Sequence, residues 1–278
     1  MRARRIVTTP GSKRIAALLT ALSSVAVVPA PAAGDEIAGA IVETLDAPCD
    51  RPAGIGYDSG NLWIVCDEAP TPTIYKWDPD TETVLDSFPA RAAEYAFGLD
   101  HDGSRLWGDT DVPEVIYSAD EDDGSVLSFF ASPFGEDSDP NGVVWDGSAL
   151  WHSAFFEDLV RVSTAGAVLD TIPSPGGTVP RDMAWVEGEL WVVDANSNTE
   201  DGIYRLDPAD GRVIGYFQPT GATLSLIYGL AYDGTSFWTT DINRSEVHRL
   251  SVNFKIFSDG FVGGDVCEWS FSQGAGGC

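Results

Sequence analysis

The sequence predicts an all-β fold, a five-bladed β-propeller of four-stranded antiparallel blades that an amino-terminal outer strand closes. Three observations lead to this prediction: a repeated segment that ends in Trp, turn-forming residues that divide each repeat, and one spare strand ahead of the first repeat. The repeated tryptophans are spaced by 44, 44, 40 and 47 residues, which is the period typical of propeller blades. They are Trp63, Trp107, Trp151, Trp191 and Trp238.

Turn-forming residues divide each repeat into four strands. Inner strands such as GLAY from Gly229 and second strands such as SFW from Ser236 are separated by DSG, DGS, DGS, EGE and DGT. Third strands such as IYRLD from Ile203 and outer strands such as RVIGYF from Arg212 are separated by DPDTET, DEDDGS and DPADGR. Asp, Gly and Pro favour tight hairpin turns, so each repeat is predicted to be an antiparallel meander.

The repeated Trp is predicted to be a packing residue. It lies in apolar runs such as LWIV and LWVV, which are typical of strands buried on both faces. A large aromatic ring at this position would fill the space between adjacent blades.

The spare strand, AIVETLDAP from Ala40 to Pro48, matches the outer strands TVLDSFPA, SVLSFFASP and AVLDTIPSP. We expect it to complete the blade that contains Trp238, because this joins the two ends of the ring and removes open sheet edges. In the alternative, NFKIFSDGF from Asn253 supplies the fourth strand of that blade and the amino-terminal strand lies outside it. Both arrangements give five blades.

The first 32 residues are predicted to be a secretory signal peptide. A basic start is followed by an apolar run from Ile15 to Val28 and by Ala-Pro-Ala at 30–32. The predicted organisation is a signal peptide at 1–32, a propeller at 33–260 and a Gly-rich tail at 261–278. Arg4 and Arg5 leave twin-arginine export open. We therefore expect a secreted protein, extracellular or periplasmic, that is monomeric and has no membrane span.

Four cysteines in an exported chain indicate disulfides rather than a redox site. We predict the pairs Cys49–Cys66 and Cys267–Cys278, the latter within the Gly-rich tail, while Cys49–Cys267 stays open as an alternative. The formal net charge of −27 argues against nucleic acid as a partner.

No cofactor is predicted, and no residue is assigned to a metal. Acids in the loops between second and third strands are expected to cap strand ends and stay hydrated, with Ca²⁺ as the alternative. These loop residues are Asp67, Glu68, Asp109, Asp111, Asp194, Asn196, Asp241 and Asn243. His101, His152 and His248 occupy unrelated positions, and each is expected to be structural.

The repeat G-[LIV]-x-[YW]-D-G-x-x-L-W, followed by I-Y-[RK]-[LW]-D-P and V-[IL]-x-x-[FI]-x-P, resembles the secreted bacterial propellers with NHL, YVTN or glutamine-cyclotransferase-like repeats. The resemblance covers about residues 40–260 and implies the fold. It leaves function open, because such repeats occur in binding proteins, surface proteins and enzymes. Five-bladed glutaminyl cyclases are the nearest enzymes, but their F-T-Q-G-L-type opening is missing, so no catalytic residue is transferred.

Two classes of function follow from this sequence. The first is an exported binding or scaffold protein that uses its channel mouth to bind a small molecule, glycan or protein. The alternative is a propeller enzyme, glutaminyl-cyclase-like or a metal-dependent lactonase or lyase, with its site in the central depression.

The inner strand of the fourth repeat differs from the other four. Those four begin with Gly, whereas the fourth repeat has Asp182, preceded by Arg181. Because function often lies where a repeat breaks its own rule, we predict a ligand site formed by Phe97, Asn141, Arg181, Asp182 and Tyr228, with Glu94, Tyr95 and Asp139 behind them. In the alternative, Arg181 neutralises the surrounding acids and the ring is a structural plug that closes the channel.

Overall fold

The structure is a computed structural model, and it describes residues 38–68, 71–90, 95–135, 138–175, 179–195 and 202–253. These residues form twenty strands in five four-stranded antiparallel sheets, which confirms the five-bladed propeller. The described ranges contain no helix, and therefore no helix that is long and apolar enough to cross a membrane.

The strands of each blade follow one another from the channel outward. Blade 1 contains β2 (Pro52–Asp58), β3 (Asn61–Cys66), β4 (Thr73–Asp78) and β5 (Thr83–Pro89); blade 2 contains β6 (Ala96–His101), β7 (Leu106–Thr110), β8 (Val115–Ala119) and β9 (Val126–Ala131). Blade 3 contains β10 (Pro140–Trp145), β11 (Leu150–Ala154), β12 (Leu159–Val162) and β13 (Val168–Ile172). Blade 4 contains β14 (Pro180–Val186), β15 (Glu189–Asp194), β16 (Gly202–Leu206) and β17 (Val213–Phe217), and blade 5 contains β18 (Ile227–Tyr232), β19 (Phe237–Asp241), β20 (Glu246–Asn253) and β1 (Ala38–Asp46).

The amino-terminal strand closes the ring. β1 pairs antiparallel with β20 along its whole length, from Ala38 opposite Asn253 to Asp46 opposite Glu246. The predicted closure is confirmed. The alternative, in which the segment from Asn253 forms a strand between β20 and the amino-terminal strand, is wrong, because β1 pairs directly with β20.

The five repeated tryptophans are buried, and each packs against the next blade. Trp63 of blade 1 contacts a cluster with Leu99 and Leu106 of blade 2, and the pattern continues around the ring. Trp238 of blade 5 packs with Ile55 and Trp77 of blade 1, which closes the apolar seams between blades. Their predicted packing role is confirmed, and burial of five indole rings is a large apolar contribution to stability.

Glycines at the start of the inner strands let neighbouring blades approach closely. A Cβ added at Gly98 would lie 2.6 Å from the backbone nitrogen of Val143 in the next blade. Gly54, Gly142 and Gly229 face the next inner strand in the same way. The repeated Gly therefore reflects backbone packing near the central channel.

The predicted Cys49–Cys66 disulfide is present. It ties the segment that follows β1 to the end of β3, and thus links the closing strand covalently to blade 1. Cys267 and Cys278 lie outside the described residues, so their pairing stays a prediction.

Candidate functional site at the channel mouth

The predicted site residues lie where the inner strands begin, an end of the channel that we call the mouth face. The opposite end, where the inner strands finish in hairpin turns, is the turn face. Every inner strand has a register shift close to its second residue. Such bulges change the direction of side chains. The second residues of the five inner strands are Ala53, Phe97, Asn141, Arg181 and Tyr228.

These side chains converge across the channel. Tyr228 of blade 5 donates a hydrogen bond to Asn141 Oδ1 of blade 3, and Phe97 of blade 2 stacks on Tyr228 with 5.7 Å between ring centroids. In neither contact do the two residues come from neighbouring blades. The contacts must therefore cross the channel axis, and the predicted ring of side chains does form one cluster.

Arg181 lies between two aromatic rings in this cluster. Its guanidinium carbon is 4.5 Å from the ring centre of Phe155 and 4.7 Å from that of Tyr228, and Nη1 donates to Asn141 Oδ1 at 3.3 Å. No carboxylate of the described residues lies within 4.0 Å of this guanidinium, whereas every other described arginine has such a partner. Those arginines are Arg51, Arg105, Arg161, Arg205, Arg212, Arg244 and Arg249.

Asp182 lies within the channel and has no exposed surface. Its Oδ2 accepts hydrogen bonds from the backbone nitrogens of Ile55 in blade 1 and Leu230 in blade 5, each at 3.3 Å. Burial raises the pKa of Asp182 well above its ordinary value, against the effect of these hydrogen bonds. The carboxyl group therefore holds its proton to higher pH than an ordinary Asp does.

A second buried acid, Asp109 of β7, lies close to this group. Its Oδ1 accepts the backbone N–H of Gly98 at 2.7 Å, and burial raises its pKa to about 7. His152 Nδ1 is 3.6 Å from Asp109 Oδ2, but it bonds the Gly142 carbonyl at 2.9 Å, while Nε2 bonds Ser132 Oγ at 3.1 Å. Burial lowers the pKa of His152 to about 4, so this histidine is neutral and held in place, as expected of a structural residue.

The remaining predicted residues have different positions. Tyr95 is 45% exposed, and its carbonyl accepts the backbone N–H of Asp111. Asp139 has a positive φ of 46°, and its carbonyl accepts Asn141 Nδ2 at 2.9 Å. Glu94 lies outside the described residues.

Sequence analysis missed Phe155, which covers one face of Arg181. The signal was present, because the residue four positions after the repeated Trp is aromatic in this repeat alone. The equivalent residues are Asp67, Asp111, Ala195 and Ile242.

The loop acids of the mouth face mainly satisfy local partners, as capping residues do. The expectation that they stay hydrated is wrong for four of them, which are buried: Asp67, Asp109, Asp194 and Asp241. Asp67 pairs with Arg51 at 3.1 Å, and Asp241 accepts the backbone N–H groups of Ser225 and Leu226, as a cap does. Asp111 has a raised pKa, first through burial and then through neighbouring carboxylates. Asn196 lies outside the described residues.

One metal-compatible group of three side chains does occur in the described part of the chain, but on the turn face. It consists of Asp58, His101 and Glu121, whose ligand atoms all lie within 4.8 Å of one another. Sequence analysis did not identify it, because the residues come from two blades and match no motif. No ion is established there.

Similar folds occur among solved structures. Glutaminyl cyclase from Myxococcus xanthus has a TM-score of 0.65 and 14% identity, over 78% of this chain and 97% of that chain. A catalytically inactive virginiamycin B lyase from Staphylococcus aureus, with quinupristin, has a TM-score of 0.46 and 20% identity, over 74% of this chain and 68% of that chain. No protein-family model and no curated protein matches. At 14% identity the first similarity supports the propeller fold alone, and the second is too distant to support any statement.

Proposed function

We propose that this protein is an exported binding propeller whose mouth cluster takes a small molecule with one anionic group and an aromatic or apolar part. One observation carries the proposal. Arg181, alone among the described arginines, has no described carboxylate within 4.0 Å, and it is held between the rings of Phe155 and Tyr228. An anionic ligand would supply the missing counter-charge.

The surroundings of Arg181 favour an anion. A planar guanidinium binds carboxylate or phosphate through two parallel hydrogen bonds, and aromatic faces hold its plane without neutralising its charge. Asn141 Oδ1 accepts from both Arg181 and Tyr228, so the group is positioned before any ligand arrives. Preorganisation of this kind lowers the entropic cost of binding.

Aromatic surface continues outward from the cluster. Phe97 is partly exposed beside Tyr228, and Phe156, which follows Phe155, is 77% exposed with a positive φ of 59°. A non-glycine residue in this backbone region is strained, and such strain is often found at binding sites. These rings give an aromatic or apolar ligand part a surface next to its anionic group.

A propeller enzyme remains the second candidate, either glutaminyl-cyclase-like or a metal-dependent lactonase or lyase. The observation in its favour is Asp182 under the aromatic mouth, whose pKa is raised by burial, since an acid with a raised pKa is what general acid catalysis requires. Two backbone hydrogen bonds and complete burial also suit a purely structural plug. Binding is therefore the function that the geometry supports best.

The Arg181→Ala variant tests the binding function, with benzoate as an aromatic anion and benzamide as its neutral analogue. Isothermal titration calorimetry should show benzoate binding to the wild type more tightly than benzamide. Loss of charge-assisted hydrogen bonds worth ~1.5–3 kcal/mol should weaken benzoate binding by roughly 10- to 100-fold in Arg181→Ala. Arg205→Ala is the matched control, because Arg205 belongs to the same blade but is paired with Glu189.

Three results would overturn this function. Equal affinity for benzoate and benzamide would show that charge is not recognised, and full benzoate binding by Arg181→Ala would place any site elsewhere. Unfolding of that variant, seen as a lost thermal transition, would make the mouth cluster a structural plug.

A further inference from the structure

We propose that the turn face holds a binding site for a divalent transition-metal ion such as Zn²⁺, with His101 and Asp58 as ligands and Glu121 as the carboxylate that orients the imidazole. The site is separate from the mouth face, and the proposal is independent of the ligand site proposed there.

The three residues meet at the seam between blades 1 and 2. Asp58 is the last residue of β2 and His101 is the last residue of β6, so both stand where neighbouring inner strands finish. Glu121 belongs to the turn between β8 and β9. One nitrogen or carboxylate oxygen of each residue lies within 4.8 Å of those of the other two, with Glu121 at Nε2 of His101 and Asp58 at Nδ1.

The imidazole of His101 is rigidly placed. Its side chain is 2% exposed and stacks on Trp63, with 6.1 Å between ring centroids and 5° between planes. Nε2 lies 2.5 Å from Glu121 Oε2, and Nδ1 is 3.1 Å from the backbone nitrogen of Gly103.

These two hydrogen bonds define the tautomer of His101. The Gly103 N–H group can only donate, so Nδ1 is the acceptor and carries no proton. Nε2–H therefore donates to Glu121. A metal-binding histidine has this arrangement, in which one nitrogen donates to a carboxylate and the other presents its lone pair to the ion.

The lone pair of Nδ1 has a carboxylate close to it. Asp58 Oδ1 lies 3.8 Å from Nδ1, too far for a direct hydrogen bond and with no proton available between two acceptors. Zinc bonds to nitrogen and oxygen of about 2.0–2.2 Å would bring the two atoms to about 3.4 Å at a tetrahedral angle. Asp58 has a 25% exposed side chain, so a movement of a few tenths of an ångström is open to it.

Charge also favours a cation at this seam. Asp58 otherwise bonds the hydroxyl of Ser59 at 2.8 Å, and within the described ranges neither Asp58 nor Glu121 has a Lys or Arg nitrogen within 4.0 Å. A ligand set of one imidazole and one carboxylate suits Zn²⁺ better than Ca²⁺, which takes six to eight oxygen ligands. Gly103 lies in an exposed turn, so water can replace Nδ1 as the partner of its N–H group when the ion binds.

Calorimetric titration with ZnCl₂ tests the site in the full chain, untagged and treated with chelator. We expect one Zn²⁺ per chain, at least 10-fold weaker binding in Asp58→Asn, and 10- to 100-fold weaker binding in Glu121→Gln through loss of the orienting carboxylate. Glu187→Gln is the matched control, because it also removes one negative charge from a hairpin between a first and a second strand, here in blade 4. Its turn, Glu187–Gly188, has two positive-φ residues, as does the turn Ser59–Gly60 that follows Asp58. This control should bind Zn²⁺ like the wild type.

Failure of the wild type to bind Zn²⁺ would overturn the proposal, as would undiminished binding in both Asp58→Asn and Glu121→Gln. Competition by CaCl₂ at the same concentration would show an oxygen-ligand site and would equally contradict it. Both substitutions are at partly exposed side chains, and unchanged thermal unfolding of the metal-free variants would establish that lost binding is local.

Discussion

Asp109 and Asp182 are fully buried carboxyl groups near the channel mouth, and their charge state depends on that burial. An ionised carboxylate without solvent is costly, so both groups hold their protons to higher pH than usual. Asp109, with a pKa of about 7, titrates near neutrality. The free energy of unfolding therefore depends on the protonation of Asp109, close to the cluster that contains Arg181.

Stability should fall with pH through Asp109. Its pKa in the folded state, about 7, lies above the ~3.9 of an unfolded Asp, so the folded state binds more protons and its stability decreases as the pH rises between these values. Between pH 5 and pH 8 the wild type should lose on the order of 2 kcal/mol of unfolding free energy from this group. Asp109→Asn cannot lose a proton there, so its unfolding free energy should fall less over the same interval, as urea titrations at the two pH values would reveal.

A suitable control variant removes an exposed acid instead of a buried one. Asp170→Asn, at an exposed position of β13, should keep the pH dependence of the wild type. If Asp109→Asn and Asp170→Asn show the same pH dependence, Asp109 does not titrate in this range.

At the scale of the elements, the inner strands set the dimensions of the ring. Their glycines face the backbone of the next blade, and blade 4 alone has Asp182 at this position. The Asp182 side chain extends into the channel and bonds blades 1 and 5. The Asp in place of Gly in blade 4 thus replaces a close backbone contact with hydrogen bonds from the Asp182 carboxyl group to the backbone of blades 1 and 5.

Gly98→Ala should be more destabilising than a glycine substitution in an open turn. The added methyl group would meet the backbone of Gly142 and Val143, and backbone cannot move aside cheaply. We expect a loss of ~1–3 kcal/mol or more, as in overpacked cores. Gly234→Ala, where φ is +95° but no atom lies within 4 Å, isolates the conformational cost of roughly 1–2 kcal/mol. Urea unfolding of both variants checks this order, and equal losses would mean that the inner strands are not packed to their limit.

The repeats predicted the elements well because turn residues and apolar runs are local signals. The hairpins at Ser59–Gly60 and Glu187–Gly188 have the positive φ angles that such turns demand, and the spacing of Asp, Gly and Pro located them. The cluster at the mouth was predictable because Arg181 and Asp182 break the repeat. Phe155 was missed although it also departs from the repeat, four positions after Trp151. The group around His101 was not found, because its role depends on contacts between blades that no local pattern encodes.

At the scale of the whole molecule, closure depends on β1. This strand is the first of the described strands, yet it forms the outer edge of blade 5. It also bonds the neighbouring segment, because Ile41 N–H donates to the Thr220 carbonyl at 2.7 Å. Glu43 pairs with Arg249 at 2.9 Å, and Thr44 bonds His248 Nδ1 at 3.0 Å. The ring is therefore held together by contacts between residues that lie near opposite ends of the propeller sequence.

Deleting residues 33–48 should open the ring. The deletion leaves β20 as an unpaired edge, so the protein should melt at lower temperature and associate through that edge. A loss of several kcal/mol corresponds to a drop of roughly 10 °C or more, at ~2–4 °C per kcal/mol for a chain of this size. Differential scanning calorimetry and light scattering would measure the two effects.

Adding the missing strand as a peptide distinguishes lost pairing from general damage. A synthetic peptide of residues 38–48, AGAIVETLDAP, should add to the exposed edge of β20, raise the melting temperature of the truncated protein and suppress its association. A scrambled peptide of the same composition should do neither, because the register of β1 on β20 places Ile41 in an apolar cluster with Leu250 and Phe217. If the truncated protein melts like the full chain, or if both peptides act alike, specific pairing of β1 does not close this propeller.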